Sequence, residues 1–239
     1  MFVKTVLGAL AGAALINAAW AEDGGDWVTI AETQKSLWQG KKGSGALSNV
    51  DGKKNSGYKY LYQVRNKSKN TFDYAQAVVL LDACRKGFGY VYYNGMEGQF
   101  LGKDQFVRFG PTVADNLGST ACQSWDNDTG KVSLAEKGDS WEFAAQVEKS
   151  GNKVFLKRDT LRKRAFKGKP SVSILSRFDN LREKTYEYSE FVIASADCER
   201  GYGTLYELNF DGGISDKWDI ALNGDSVASV VGGVVCNKR

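Results

Sequence analysis

The chain has 239 residues, of which 42% are hydrophobic, 12% aromatic and 25% charged. That is a globular mixture, which excludes collagen-like and disordered classes and suffices for one large or two ordinary domains. Thirty-two Lys+Arg against 28 Asp+Glu leave only +4, too little for wrapping nucleic acid, and no nucleic-acid partner is expected. Histidine is absent altogether, which removes Ser-His-Asp and Cys-His nucleophile arrangements and every His-ligated zinc site.

Lys4, an apolar run from Val6 to Ile16 and the small-x-small sequence Ala19-Trp20-Ala21 have the layout of a secretory signal peptide over residues 1–21. A single membrane anchor is the competing reading, for which the apolar run is short. No later stretch is apolar for about 18 residues, so no transmembrane segment is expected after signal cleavage. No cysteine adjoins the cleavage site, so lipid attachment there is not expected. Cys84, Cys122, Cys198 and Cys236 all follow the signal, and an even number in an exported chain reads as two disulfides. A metal site is disfavoured, because no C-x-x-C clamp exists and no histidine can complete a ligand set. No cofactor is expected.

The cysteines also disclose a repeat. The separations 122 − 84 and 236 − 198 are both 38, and 198 − 84 is 114. The same offset pairs Trp27 with Trp141, Asn66 with Asn180, Tyr74 with Tyr188, Gly87 with Gly201, Gly98 with Gly212 and Gly118 with Gly232. Across the 96 positions from 27 to 122 it yields 22 identities without a gap, where average composition would give roughly 6. The chain therefore reads as a duplication, with one domain over 22–125, a linker over 126–140 and a second domain over 141–239. The boundary is expected in the polar, turn-forming stretch Ser124-Trp125-Asp126-Asn127-Asp128-Thr129-Gly130.

Within a copy, strand signals dominate. Tyr58, Tyr60, Tyr62 and Val64 alternate with Lys59, Leu61 and Gln63, and Val172, Ile174 and Phe178 keep the spacing in the second copy. Residues 72–81 carry enough β-formers for a central strand. Tyr90-Val91-Tyr92-Tyr93 then predicts a hairpin turning at residues 94–98, and residues 204–208 one turning at Asp211-Gly212-Gly213. Thr112 and Ser226 are good N-caps for a closing helix, with Val113/Leu117 and Val227/Val230/Val231/Val234 at helical spacing, although Gly118, Gly232 and Gly233 count against it. Cys84 and Cys198 are expected to end a strand, and Cys122 and Cys236 to end the helix. Bridges Cys84–Cys122 and Cys198–Cys236 would then staple helix to sheet, each worth roughly 4 kcal/mol on the loop-entropy model. The fold class is α+β: two similar domains, each an antiparallel sheet with a short C-terminal helix held by a disulfide.

In the second copy Tyr188, Asp197-Cys198, Glu199-Arg200-Gly201-Tyr202, Tyr206, Asp211-Gly212, Trp218, Gly224-Asp225-Ser226-Val227 and Cys236 fall in one order. Tyr74, Asp82-Ala83-Cys84, Tyr92, Glu97-Gly98, Gly110-Pro111-Thr112-Val113 and Cys122 follow it in the first, with Phe106 near the place of Trp218. This order resembles the surface-adhesin protein E family of Gram-negative bacteria over roughly the second half of each copy. The resemblance implies an antiparallel sheet with a packed helix, displayed at the cell surface and binding host matrix or plasma proteins. The family's namesake is a single-domain lipoprotein, whereas this chain is a tandem without a lipobox cysteine.

The strongest charge cluster is Lys153, Lys157, Arg158, Arg162, Lys163, Arg164, Lys167 and Lys169, interrupted by Asp159. Such a run attracts anionic glycans or acidic protein patches, and it equally suits a solvated edge strand whose lysines block aggregation. The first copy has only Lys41, Lys42, Lys53 and Lys54 in that region. Asp126-Asn127-Asp128-Thr129-Gly130 departs from a calcium loop, with its glycine one place early and Lys137 where the bidentate Glu belongs. Gly87-Phe88-Gly89 and Gly201-Tyr202-Gly203 read as tight bends rather than phosphate loops. The tyrosines at 58, 60, 62 and 74, with Phe72, read as core and sheet face. Asp82 and Asp197 do not coincide under the repeat, and no nucleophile–base pair stands out. The leading expectation is an exported, non-enzymatic binding protein in the periplasm, at the cell surface or secreted. The alternatives are a periplasmic ligand carrier or inhibitor, with a hydrolase using paired carboxylates behind them.

Overall fold

The computed structural model describes residues 25–50, 52–132 and 140–237. The signal-peptide reading of residues 1–21 lies outside them, as does most of the second half of the expected linker. The chain divides into two compact units, residues 1–136 and 137–239.

In the first unit the chain forms β1 (Trp27–Glu32), β2 (Ser36–Lys41), β3 (Ala46–Val50), β4 (Lys53–Asn66), β5 (Thr71–Leu80), α1 (Leu81–Lys86), β6 (Phe88–Asn94), β7 (Phe100–Val107) and α2 (Val113–Thr129). The strands make one antiparallel sheet in the order β1-β2-β4-β5-β6-β7, with β3 also paired to β4. The second unit forms β8 (Trp141–Gln146), β9 (Lys153–Phe166), β10 (Lys169–Asn180), β11 (Thr185–Ala194), α3 (Ser195–Arg200), β12 (Tyr202–Leu208), β13 (Ile214–Ala221) and α4 (Val227–Cys236). Its sheet is an antiparallel meander in chain order.

Adding 114 to the bounds of β1, β5, α1, β6 and β7 gives those of β8, β11, α3, β12 and β13 to the residue. Backbone strain repeats as well. Asn70 and Lys184 have φ of 53° and 55°, and Phe109 and Asn223 have 64° and 67°, at matched positions where L-residues rarely go. One stretch departs from the repeat. β2 and β3 lie separately along β4, whereas β9 runs unbroken along β10 with an irregularity between the partners of Ser173 and Leu175.

The tyrosine stripe divides as the strand period dictates. Tyr58, Tyr60 and Tyr62 point from β4 into the core, while Phe72 and Tyr74 on β5 stay largely exposed. The Tyr60 hydroxyl donates to the carbonyl of Leu117 at 3.0 Å, tying sheet to helix. Thr112 caps α2 in a full capping box with Asp115, and Ser226 caps α4 by accepting from the Ser229 amide at 3.1 Å. The helical glycines have a packing reason. A Cβ on Gly118 would come within 2.3 Å of the buried Phe106 ring, and one on Gly232 within 2.4 Å of Ile220. Only hydrogen there lets the helix lie against the strand.

Both disulfides form as expected, Cys84–Cys122 and Cys198–Cys236, each closing a separation of 38 residues. Three local expectations are corrected. Cys84 and Cys198 sit in the short helices α1 and α3 rather than at strand ends. Asp82 opposite Lys86, and Asp197 opposite Arg200, pair across single helical turns at 2.5 and 2.6 Å. Gly87 and Gly201, at φ of 84° and 81°, are the left-handed residues that end these helices, rather than bends between strands. The polar stretch 124–130 is likewise no turn. α2 continues through Thr129 to a left-handed Gly130, because Asp126 pairs with buried Arg108 and Asp128 accepts a hydrogen bond from Tyr58. The first unit therefore extends past residue 125 into the expected linker.

Candidate binding surface

The eight cations singled out in the second unit lie on β9, on the turn after it and at the start of β10. Lys167 and Gly168 both have positive φ, 50° and 74°, and Phe166 pairs with Lys169, which makes a two-residue hairpin turn of the primed type. Lysine is an unusual occupant of the first position, where Asn, Asp or Gly is preferred. The turn places the Lys167 ammonium 4.4 Å from the centre of the Tyr206 ring.

The structure sorts the cluster into three groups. Lys157 is buried, with its ammonium 2.8 Å from the Ser140 hydroxyl and 3.5 Å from Asp159, and Arg158 pairs with Glu142 at 2.5 Å. These two serve the β8–β9 contact. Arg162 and Arg164 share Glu190, at 3.0 and 2.7 Å. For Lys153, Lys163 and Lys169 no carboxylate lies within ion-pair distance among the described residues, and Lys163, Lys167 and Lys169 are exposed around the hairpin tip. The eight residues are thus not one continuous patch. Two shallow depressions of about 400 and 470 Å³ flank this tip and share Lys169, Pro170 and Ser195.

Glu190 is the residue that the sequence did not disclose. It stands on β11, one strand removed from the arginines, and it is buried. The intervening β10 presents Ser171 opposite Arg164 and Ser173 opposite Arg162. These small side chains, themselves buried, leave room for both arginines to reach across to β11. Burial alone would raise the Glu190 carboxyl. The neighbouring Ser173 hydroxyl and the two guanidinium groups outweigh it and hold the carboxyl below its ordinary value. A pair of arginines two apart facing a pair of serines two apart was the available signal, but it named no acid.

The sheet face bearing these groups also coils over itself. Phe166 and Tyr206 stand on β9 and β12, with two strands between them, yet their ring centres are 5.2 Å apart. Leu175, Val192 and Leu208 are buried on this same face, opposite the one that packs on α4. Arg177 lies within about 5 Å of the Trp141, Phe155 and Tyr186 rings and pairs with Asp179 at 2.6 Å. Trp141 in turn packs on Tyr188 with centres 6.0 Å apart, as Trp27 packs on Tyr74 at the same distance in the first unit.

Among other carboxylates, Glu207 is raised, first by burial and then by Asp216 and Glu187, with the Ser189 hydroxyl opposing. It belongs to neither depression. No group of three His, Cys, Asp or Glu side chains is arranged for a metal ion among the described residues, and Asp126 and Asp128 are engaged within the first unit. No described helix is long and apolar enough to cross a membrane. No family model, curated protein or solved structure matches this chain.

Proposed function

We propose that the chain is an exported, non-enzymatic binding protein that engages an anionic glycan through the β9–β10 hairpin of its second unit. The observation that carries this reading is the contrast between the two copies. Through strand pairing Arg162, Lys163 and Arg164 correspond to Ala46, Leu47 and Ser48, and Lys169 matches Asn55, so the same scaffold folds without these cations. The hairpin tip adds three exposed lysines to the two partly exposed arginines behind it. Charges at an exposed turn raise encounter rates with polyanions and are screened by salt. The resemblance to the protein E family supports the same class, with host matrix or plasma proteins, carrying such glycans or acidic patches, as partners. Two disulfides and the signal-like N-terminus support export to the periplasm or cell surface.

Retention on immobilised heparin tests the site. The full chain should be retained and elute with salt, and Lys163→Ala/Lys167→Ala/Lys169→Ala should elute at distinctly lower salt. Equal retention of the triple variant would remove the hairpin from the binding surface. Protease accessibility on intact cells separates the locations: cleavage before the outer membrane is opened places the protein at the surface, and protection until then places it in the periplasm.

A further inference from the structure

We infer that Arg162 and Arg164 form a clamp for a tetrahedral oxyanion ester, sulfate or phosphate, carried on a glycan, with Glu190 as the residue that positions both arginines. The inference rests on the polyanion reading above and assigns it a specific geometry.

Three observations carry it. Each guanidinium meets a different oxygen of the same carboxylate, Arg162 at Oε1 and Arg164 at Oε2, so one buried acid orients two forks of five donors each. The side chains remain 38% and 33% exposed while Glu190 is 9% exposed, so the cations are open to solvent and the acid is not. The triad keeps one net positive charge, being two cations and one anion. Planar guanidinium groups held in a fixed orientation match the paired oxygens of sulfate or phosphate esters, which a lone ammonium does not.

Strand geometry defines the rest of the site. Arg162 and Arg164 are two residues apart on one face, so their Cα atoms stand about 7 Å apart. Through the Arg164–Ser171 pairing, Lys169 lies on that same face, while Lys163 falls on the opposite one. The clamp is therefore a one-sided row of Arg162, Arg164 and Lys169. The Glu190 carboxyl, held below its ordinary value, meets both arginines of the row as a charged group.

The first unit has no equivalent. Glu190 corresponds to Gln76, and through strand pairing the arginines correspond to Ala46 and Ser48. The positions that differ between the copies are here the ones that together make a site.

The test exploits a sign. If the hairpin acts only through net charge, Glu190→Gln adds one positive charge and should tighten binding. If the clamp operates, the same change frees the arginines from their orientation and weakens binding. Calorimetric titration of the full chain with a heparin-derived octasaccharide, and in a second arm with a phosphorylated oligosaccharide, should show Glu190→Gln losing about tenfold in affinity for whichever ester binds. Arg162→Lys/Arg164→Lys, which keeps charge and salt-bridge partners but loses the forks, should lose a similar factor, and Lys149→Ala, in the exposed turn before β9 and outside the hairpin, should change affinity by less than about threefold. Binding by Glu190→Gln or the double lysine variant at wild-type strength or tighter would overturn the clamp and leave the polyanion reading standing. Failure of the wild-type chain to bind either oligosaccharide would overturn that reading, and the clamp with it.

Discussion

Arg108 places Nη2 3.3 Å from the Asp126 carboxylate, and both side chains are more than nine-tenths buried. The pair links the strand end of β7 to the last turns of α2, and it keeps the helix running where composition alone suggests a turn. Burial pulls the guanidinium below its ordinary value, with Asp126 opposing. In the second copy Leu222 occupies the position of Arg108, so the scaffold accepts an apolar side chain there.

Asp126→Ala should therefore be costly, because it strands a buried cation. A loss of about 3–5 kcal/mol is expected. Arg108→Leu/Asp126→Leu should cost clearly less, since no charge remains to be compensated. Urea unfolding of the full chain measures both, and equal losses would contradict the pairing argument.

Two helical glycines should respond in opposite senses. Gly118→Ala drives a methyl into the Phe106 ring and should destabilise by about 1–3 kcal/mol. Around Gly233 no atom lies within 4 Å of an added Cβ, so Gly233→Ala should stabilise by about 1 kcal/mol through helix propensity. Thermal unfolding of the two variants reads the difference directly.

The first unit should fail in alkali in a defined way. Burial is the leading cause that pushes the Tyr58, Tyr60, Tyr62 and Tyr93 phenols up, with Asp128 adding to Tyr58 and Asp104 to Tyr62 and Tyr93. Tyr62 is pushed up to about 12. A folded pKa above the unfolded value of about 10 means that this stabilisation is complete below pH 10 and is lost as pH rises through the folded values. Absorbance titration against circular dichroism should show these four phenols ionising only with cooperative unfolding. Their ionisation near pH 10 in an intact fold would contradict their burial.

Legibility of the candidate site was uneven for a physical reason. The basic run was visible because the cations are contiguous in sequence. Their sorting was not, because Glu142 lies on β8 and Glu190 on β11, respectively 16 and 26 residues from Arg158 and Arg164. Alternation along β9 then sends Arg162 and Arg164 to one face and Lys163 to the other, so neighbours in sequence do different work. The short helices were within reach: Asp82 and Asp197 in a first turn, basic residues in the last and glycine immediately after are helix signals. The run of β-formers over residues 72–81 continues into the first residue of α1 and masks where the helix starts.

The repeat, the two sulfur bridges, the N-caps at Thr112 and Ser226 and the alternation of β4 follow from the linear order of residues. Each depends on local stereochemistry or on one offset applied along the chain. Glycines that seat a helix on Phe106, a buried arginine that prolongs α2 and a carboxylate shared by two arginines depend instead on which strands become neighbours. Strand pairing and the coiling of the sheet bring those groups together across distances along the chain at which no local preference operates, so only the folded molecule could assign them.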